Sequence, residues 1–229
     1  MSDAEDIISN ITITGVIIRF SDNKLEVLLQ QFNEGDEAEV CNWELPRNSI
    51  KRGETAMETV QRMFHGNYSF EIGYLDQFRT FEETNFVLKE TGVTIGHCVF
   101  VRQKGPRYDQ NVLGTGKWFK LDEIPNIVPS HSEILSYSLK YLKTLTRSEP
   151  IVFDLLPEKF TLLELIYLYE QILSVEIDKS NFRRKILSMD ILMELNEKQQ
   201  DVSHRAAKFY AFDYMRYREK AESGFSMDF

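Results

Sequence analysis

The sequence predicts an α+β protein of two domains, and two observations carry that expectation. At 229 residues the chain is long enough for one large domain or two ordinary ones, and two is the expectation because domains cluster near ~100–150 residues. Its patterning also changes once: strand-like runs interleaved with helices fill the first part, and Arg147-Ser-Glu-Pro150 breaks the periodicity before a helix-rich remainder. The expected division therefore separates residues 1–148 from residues 149–229.

The elements follow in order. Residues 11–20 and 24–31 are rich in β-branched and aliphatic residues and are joined by Ser21-Asp-Asn-Lys24, whose Asp-Asn pair tolerates tight-turn geometry, so a hairpin is expected. A loop leads to Trp43-Glu-Leu-Pro46. Thr55 and Glu58 then have capping-box spacing ahead of Val60, Met63 and Phe64, which predicts a helix over residues 55–65. Strands are expected at 74–82, 91–103 and 116–121, and a helix at 130–145 on the spacing of Ile134, Leu135, Leu139, Leu142 and Leu145. Beyond the break, Thr161-Leu-Leu-Glu164 opens a helix to about residue 174, and Asp178 caps another to about residue 188. Short strands at 191–195 and 208–212 complete the helix, helix, hairpin order of a winged helix-turn-helix domain.

Composition narrows the function. Hydrophobic residues at 42% and aromatics at 12% supply ordinary cores, and no apolar run approaches the ~20 residues that span a bilayer. The start Met1-Ser-Asp-Ala-Glu-Asp is acidic where a secretory signal is basic, so a cytoplasmic protein with no membrane partner is expected. Cys41 and Cys98 lie far apart and in no paired metal spacing, which predicts reduced thiols rather than a disulfide or zinc site. A net charge of −9 argues against indiscriminate nucleic-acid binding but leaves room for a local basic face.

The stretch from Trp43 to Glu54 and the helix after it resemble the Nudix family, whose box runs Gly, five residues, Glu, seven residues, Arg-Glu, an aliphatic residue, any residue, Glu-Glu, any residue, Gly. Asn48 stands at the first glycine, Glu54 at the first glutamate and Arg62 at the arginine; Met63, Gly66 and Asn67 occupy the remaining acidic positions, and Ser69 the last glycine. The resemblance implies an α/β/α sandwich around a mixed sheet. It also implies that the helical carboxylates of active members hold divalent metals, a task for oxygen ligands that Met63, Gly66 and Asn67 cannot perform. A sensor that does not hydrolyse is therefore expected, with no catalytic residue, metal or cofactor. By analogy with the ancestral cleft, Arg47, Asn48, Arg79 and Glu82 are the candidate effector contacts.

The second domain has its own resemblance. Residues 160–173, 177–186 and 203–212 resemble the winged helix of the Nudix-related transcription regulators, the group containing NrtR-type regulators of NAD metabolism and AraR-type regulators of arabinose use. The residues agree with it: on a helix from Lys179, Phe182, Ile186 and Met189 share the inner side while Asn181, Arg183, Arg184 and Lys185 face outward. Arginine pairs with guanine and asparagine with adenine, whereas Lys179, Ser180, His204, Arg205 and Lys208 suit the phosphate backbone around the helix start and wing. Residues 178–218 hold nine Lys or Arg and six Asp or Glu, a local charge of +3.

These features predict a ligand-responsive regulator, a repressor, that binds double-stranded operator DNA as a homodimer and takes a sugar or an ADP-ribose-like effector. Two competitors remain: a hydrolase recruiting Glu71, Glu82 and Glu83 as substitute acids, and a protein-interaction module that binds no DNA.

Overall fold

In a computed structural model of the chain, β1 (Ile7–Ser21) and β2 (Lys24–Gln31) turn through Asp22 and Asn23, at φ 51° and 61°. Two successive left-handed residues make the type I′ turn that suits the twist of a hairpin, as the Asp-Asn pair predicts. The structure describes residues 7–31, 43–63, 70–85, 90–103, 116–198 and 207–225. It divides into two compact units, Met1–Arg19 with Glu26–Tyr141, and Phe20–Leu25 with Leu142–Phe229.

The first unit is built on a seven-stranded sheet. Its further strands are β3 (Trp43–Glu44), β4 (Arg47–Lys51), β5 (Phe70–Asn85), β6 (Glu90–Gln103) and β7 (Gly116–Lys120). The order is β3-β2-β1-β6-β5, with β4 paired to β1 and β7 to β2. Pairing between β1 and β6 is parallel, from Ile11 opposite Val93 to Arg19 opposite Val101, and the other described ladders are antiparallel, so the sheet is mixed. The sequence pattern assigns no element to residues 43–51 and gives β5 only at 74–82. Short strands owe their conformation to the neighbours they pair with, and no local propensity announces them.

Helix α1 (Ala56–Met63) covers one face and α2 (Pro129–Ser148) the other. Ile13 and Ile17 of β1 and Val99 and Val101 of β6 form one core cluster with Val60 of α1. On the opposite face Cys98 accepts the Ser138 hydroxyl from α2 at 3.5 Å. Cys98 is the buried thiol expected, its pKa pushed up to about 12 by burial; Cys41 and Phe64 lie outside the described residues. Gly96 of β6 is needed for packing, because a Cβ there would stand 2.7 Å from the Phe78 ring.

In the second unit a 3-10 helix, Pro150–Leu155, follows α2 and buries Ile151, Val152, Phe153 and Leu155. The sequence reading saw only an interruption here. Next come β8 (Phe160–Thr161), α3 (Leu162–Leu173), α4 (Lys179–Ser188), β9 (Leu192–Lys198) and β10 (Lys208–Phe212), with sheet order β8-β10-β9. Thr161 and Glu164 form the reciprocal capping box: the Glu164 N–H donates to Thr161 Oγ1 at 3.2 Å and the Thr161 N–H to Glu164 Oε2 at 2.7 Å. Leu162, Leu165, Ile166, Leu168, Tyr169 and Ile172 are buried, so α3 is a support helix. A final helix, α5 (Tyr214–Glu222), is absent from the sequence reading; it buries no residue and therefore carries no apolar stripe to betray it.

Candidate nucleic-acid interface and effector domain

Helix α4 is launched from a tight turn. Ser174 ends α3 at φ 58°, the Ile177 N–H donates to Glu170 Oε1 at 3.1 Å, and the Asp178 carboxylate accepts the N–H groups of Ser180 and Asn181 at 2.9 and 3.0 Å. Phe182, Ile186 and Met189 are buried, and the Phe182 ring meets Tyr169 edge-on at 5.2 Å. That anchoring leaves Lys179, Ser180, Asn181, Arg183, Arg184 and Lys185 exposed on the other side, as expected for a recognition helix.

Two partnerships on this face were not visible in the sequence. Arg184 Nη2 donates to Asn181 Oδ1 at 2.7 Å, so the two expected base readers hold each other one helical turn apart. Lys208, expected at phosphate, donates its ammonium to Glu194 Oε1 on β9 at 2.6 Å. The Lys179 ammonium stands 5.0 Å from the Tyr167 ring centre. His204 and Arg205 lie outside the described residues.

In the first unit, the surviving carboxylate of the box has become a strut. Arg62 Nε and Nη2 donate to the two oxygens of Glu54 at 2.6 and 2.9 Å. The Thr59 hydroxyl and Lys51 N–H reach Glu54 Oε2 at 2.9 and 3.0 Å, and Arg62 also donates to the Ser49 carbonyl at 2.9 Å. Led by the Arg62 hydrogen bonds and opposed by burial, these contacts hold the Glu54 carboxyl down to about 2. The cluster ties the end of β4, the turn at Gly53 (φ 79°) and α1 into one piece. Met63 is partly buried against the core, while Gly66, Asn67 and Ser69 lie outside the described residues. Among the described residues no three His, Cys, Asp or Glu gather as a metal set; Glu71 and Glu82 are exposed.

Two of the candidate effector contacts, Arg47 and Arg79, fall on one transverse row. Arg47 pairs with Thr14, Thr14 with Gly96 and Gly96 with Arg79, across β4, β1, β6 and β5. Three strand spacings separate the two arginines, about 14 Å along the sheet. Asn48, opposite Ile13, and Glu82, opposite Val93, stand an odd number of residues from Arg47 and Arg79 on the same strands, so they lie on the α1 side of the sheet while the two arginines lie on the α2 side. Arg47 Nε donates to Glu44 Oε2 at 2.9 Å, and Gln30 Nε2 donates to Glu44 Oε1 at 2.8 Å. Arg79 stacks 4.1 Å from the Tyr137 ring centre and 5.7 Å from that of Phe81. The Thr14 hydroxyl is buried between them with no hydrogen-bond partner. His131 of α2 accepts the Leu45 N–H at Nδ1, 3.0 Å away; burial, aided by the Arg47 charge, lowers its pKa to about 4. Glu44 and His131 were missed in the sequence, for His131 is 86 residues from its partner and no local motif links them.

Comparison with known proteins follows these two sites. Residues 152–212 match the model of the NrtR DNA-binding winged helix domain. The ADPR responsive transcriptional repressor NtrR of Acinetobacter baylyi is 22% identical over 212 residues, covering 90% of this chain and 83% of that protein. Shewanella oneidensis NrtR, crystallised with a 27mer DNA, matches at TM-score 0.71 and 22% identity over 88% of this chain and 93% of that one. A MutT/nudix family protein of Enterococcus faecalis matches at TM-score 0.65 and 20% identity, over 89% of this chain and 87% of the other. The fold is a Nudix-like α/β/α sandwich followed by a winged helix. Across most of its length the chain is similar to Nudix-related transcription regulators, and residues 152–212 carry a winged helix of the NrtR kind. No helix among the described residues is long and apolar enough to cross a membrane.

Proposed function

We propose that the protein is a transcriptional repressor in which residues 1–148 sense an ADP-ribose-like nucleotide without hydrolysing it and residues 149–229 bind a palindromic operator as one half of a homodimer. One contrast carries the reading: basic residues stand exposed on the capped α4, while the box carboxylate Glu54 is engaged by Arg62. A single winged helix buries only roughly 600–1,000 Å² on DNA, so a dimer on two half-sites supplies the affinity a regulator needs.

The nucleotide is preferred over a sugar for two reasons. The Acinetobacter relative is named as responsive to ADP-ribose, and the row from Arg47 to Arg79 is about 14 Å long, more than one pentose spans. Arg47 would contact one end of such a ligand and Arg79 the other, while Asn48 and Glu82 lie on the opposite face of the sheet. The regulated genes then concern NAD or ADP-ribose rather than sugar catabolism.

Selection of duplexes from a randomised pool by the purified protein tests the first half of the reading. An inverted repeat with half-sites about one helical turn apart is the expected product. A thermal-shift comparison of ADP-ribose with pentoses and hexoses, and a Mg²⁺-dependent phosphate-release assay on ADP-ribose, test the second. ADP-ribose should stabilise the protein and survive incubation. Stabilisation by sugars alone would return the effector to that class, and turnover abolished by Glu54→Gln would make the protein an enzyme.

A further inference from the structure

The wing carries a carboxylate where a phosphate-binding surface should be positive. Glu194 of β9 stands opposite Tyr210 of β10 in the register, and between Lys208 and Tyr210 the pairing shifts at an irregularity. Lys208 pairs with Lys198 across that irregularity, and its ammonium donates to Glu194 Oε1 at 2.6 Å. Both side chains are 52% exposed. The Tyr210 hydroxyl interacts with the same carboxylate, and its pKa is raised, first by burial and then by the Glu194 charge, against the opposing charges of Lys208 and Arg183. One carboxylate therefore engages the basic residue expected at phosphate.

We propose that Glu194 is a positioning residue that withholds Lys208 from the DNA backbone until a correctly docked operator displaces it, and so suppresses nonspecific binding. The inference rests on the DNA-binding reading above. Its physical basis is the weakness of the pair: ion pairs this exposed are screened by water and contribute little to folding, so the contact is easily exchanged for another. A phosphate offers Lys208 the same charge-assisted hydrogen bond. Until that exchange, Glu194 both neutralises the lysine and repels phosphate, so a duplex held loosely by charge alone gains little. A fully docked duplex gains enough from α4 to displace it.

The test is a salt titration of the full chain on a random-sequence 30-base-pair duplex, comparing wild type, Glu194→Gln, Lys208→Ala and the double variant. Glutamine keeps the shape and can still accept the Tyr210 hydroxyl. Glu194→Gln is expected to raise affinity about 3- to 10-fold at low salt and to steepen the slope of log K against log salt by about 0.9, the signature of one more neutralised phosphate. Adding Lys208→Ala should erase both effects. Glu133→Gln, which removes an equal charge from the exposed side of α2, should leave the slope unchanged. A Glu194→Gln slope equal to wild type, or a gain that survives loss of Lys208, overturns the inference alone. Failure of all four proteins to bind this duplex, together with failure of the randomised pool to yield a site, overturns the DNA reading beneath it.

Discussion

Helices α1 and α4 each follow a tight turn and a polar cap, and each carries the residues that define its unit, yet they place their charge oppositely. Around α1 the carboxylate and guanidinium of the old box, Glu54 and Arg62, are locked to each other and to the backbone of Lys51 and Ser49. Around α4 the Asp178 cap engages the helix start and Arg184 donates to Asn181, while Arg183, Arg184 and Lys185 stand exposed. The difference separates motif residues that have become structural from motif residues disposed to meet a partner. A charge with internal hydrogen bonds strengthens the fold when kept; an exposed one contributes little to it and is explained by what it meets.

Substitutions sharpen that contrast, the largest effect coming from beneath the recognition helix. Phe182→Ala should destabilise the winged unit by about 3–5 kcal/mol, because it removes a buried ring packed on Tyr169. Thermal unfolding followed by circular dichroism would register it. A loss below 1 kcal/mol would show that α4 is not anchored there.

Next comes the box. Glu54→Gln should cost about 1–3 kcal/mol near neutral pH, since it leaves the Arg62 guanidinium without its charged partner. The pH dependence has a definite sign. The folded carboxyl is depressed to about 2 from an ordinary 4.5, so its contribution is complete above about pH 4.5 and is lost as pH falls toward 2. Urea titrations should therefore show wild type and Glu54→Gln converging between those values; a gap that stays constant down to pH 2 would remove the strut.

Arg183→Ala should do the reverse of the box substitution: melting unchanged, affinity for the selected operator lowered by about 1–3 kcal/mol, and preference relaxed at one base pair. An unchanged operator titration for both Arg183→Ala and Arg184→Ala would favour a protein-interaction role for this face. The smallest effect belongs to the cap. Asp178→Ala should destabilise by about 1 kcal/mol through the orphaned N–H groups of Ser180 and Asn181, detectable as a small shift in the urea midpoint.

How much of this was legible in the sequence differs between the units for a local reason. The Thr161–Glu164 capping box, the Asp178 cap and the spacing of Phe182, Ile186 and Met189 lie within a few residues of one another, and the structure realises all of them. In the first unit the long strands and both helices were legible from periodicity. The environment of Arg47 was not: it depends on Glu44, Gln30 and a histidine from the far end of the unit. Nor was it evident that the four expected effector contacts divide between the faces of the sheet, Arg47 and Arg79 on one and Asn48 and Glu82 on the other.

Helix starts, hairpin turn and core faces were thus settled by the sequence alone, because each follows from backbone sterics and from which side chains repeat at a helical or strand period. So was the missing acidic set, since a side chain without a carboxylate stays without one in any fold. Tertiary structure decided the partners: that Glu54 belongs to Arg62, that Lys208 belongs to Glu194, and that Arg47 and Arg79 stand at opposite ends of one row. Those outcomes depend on strand register, and shifting a strand by one residue turns every side chain to the other face, so no short stretch of sequence contains them.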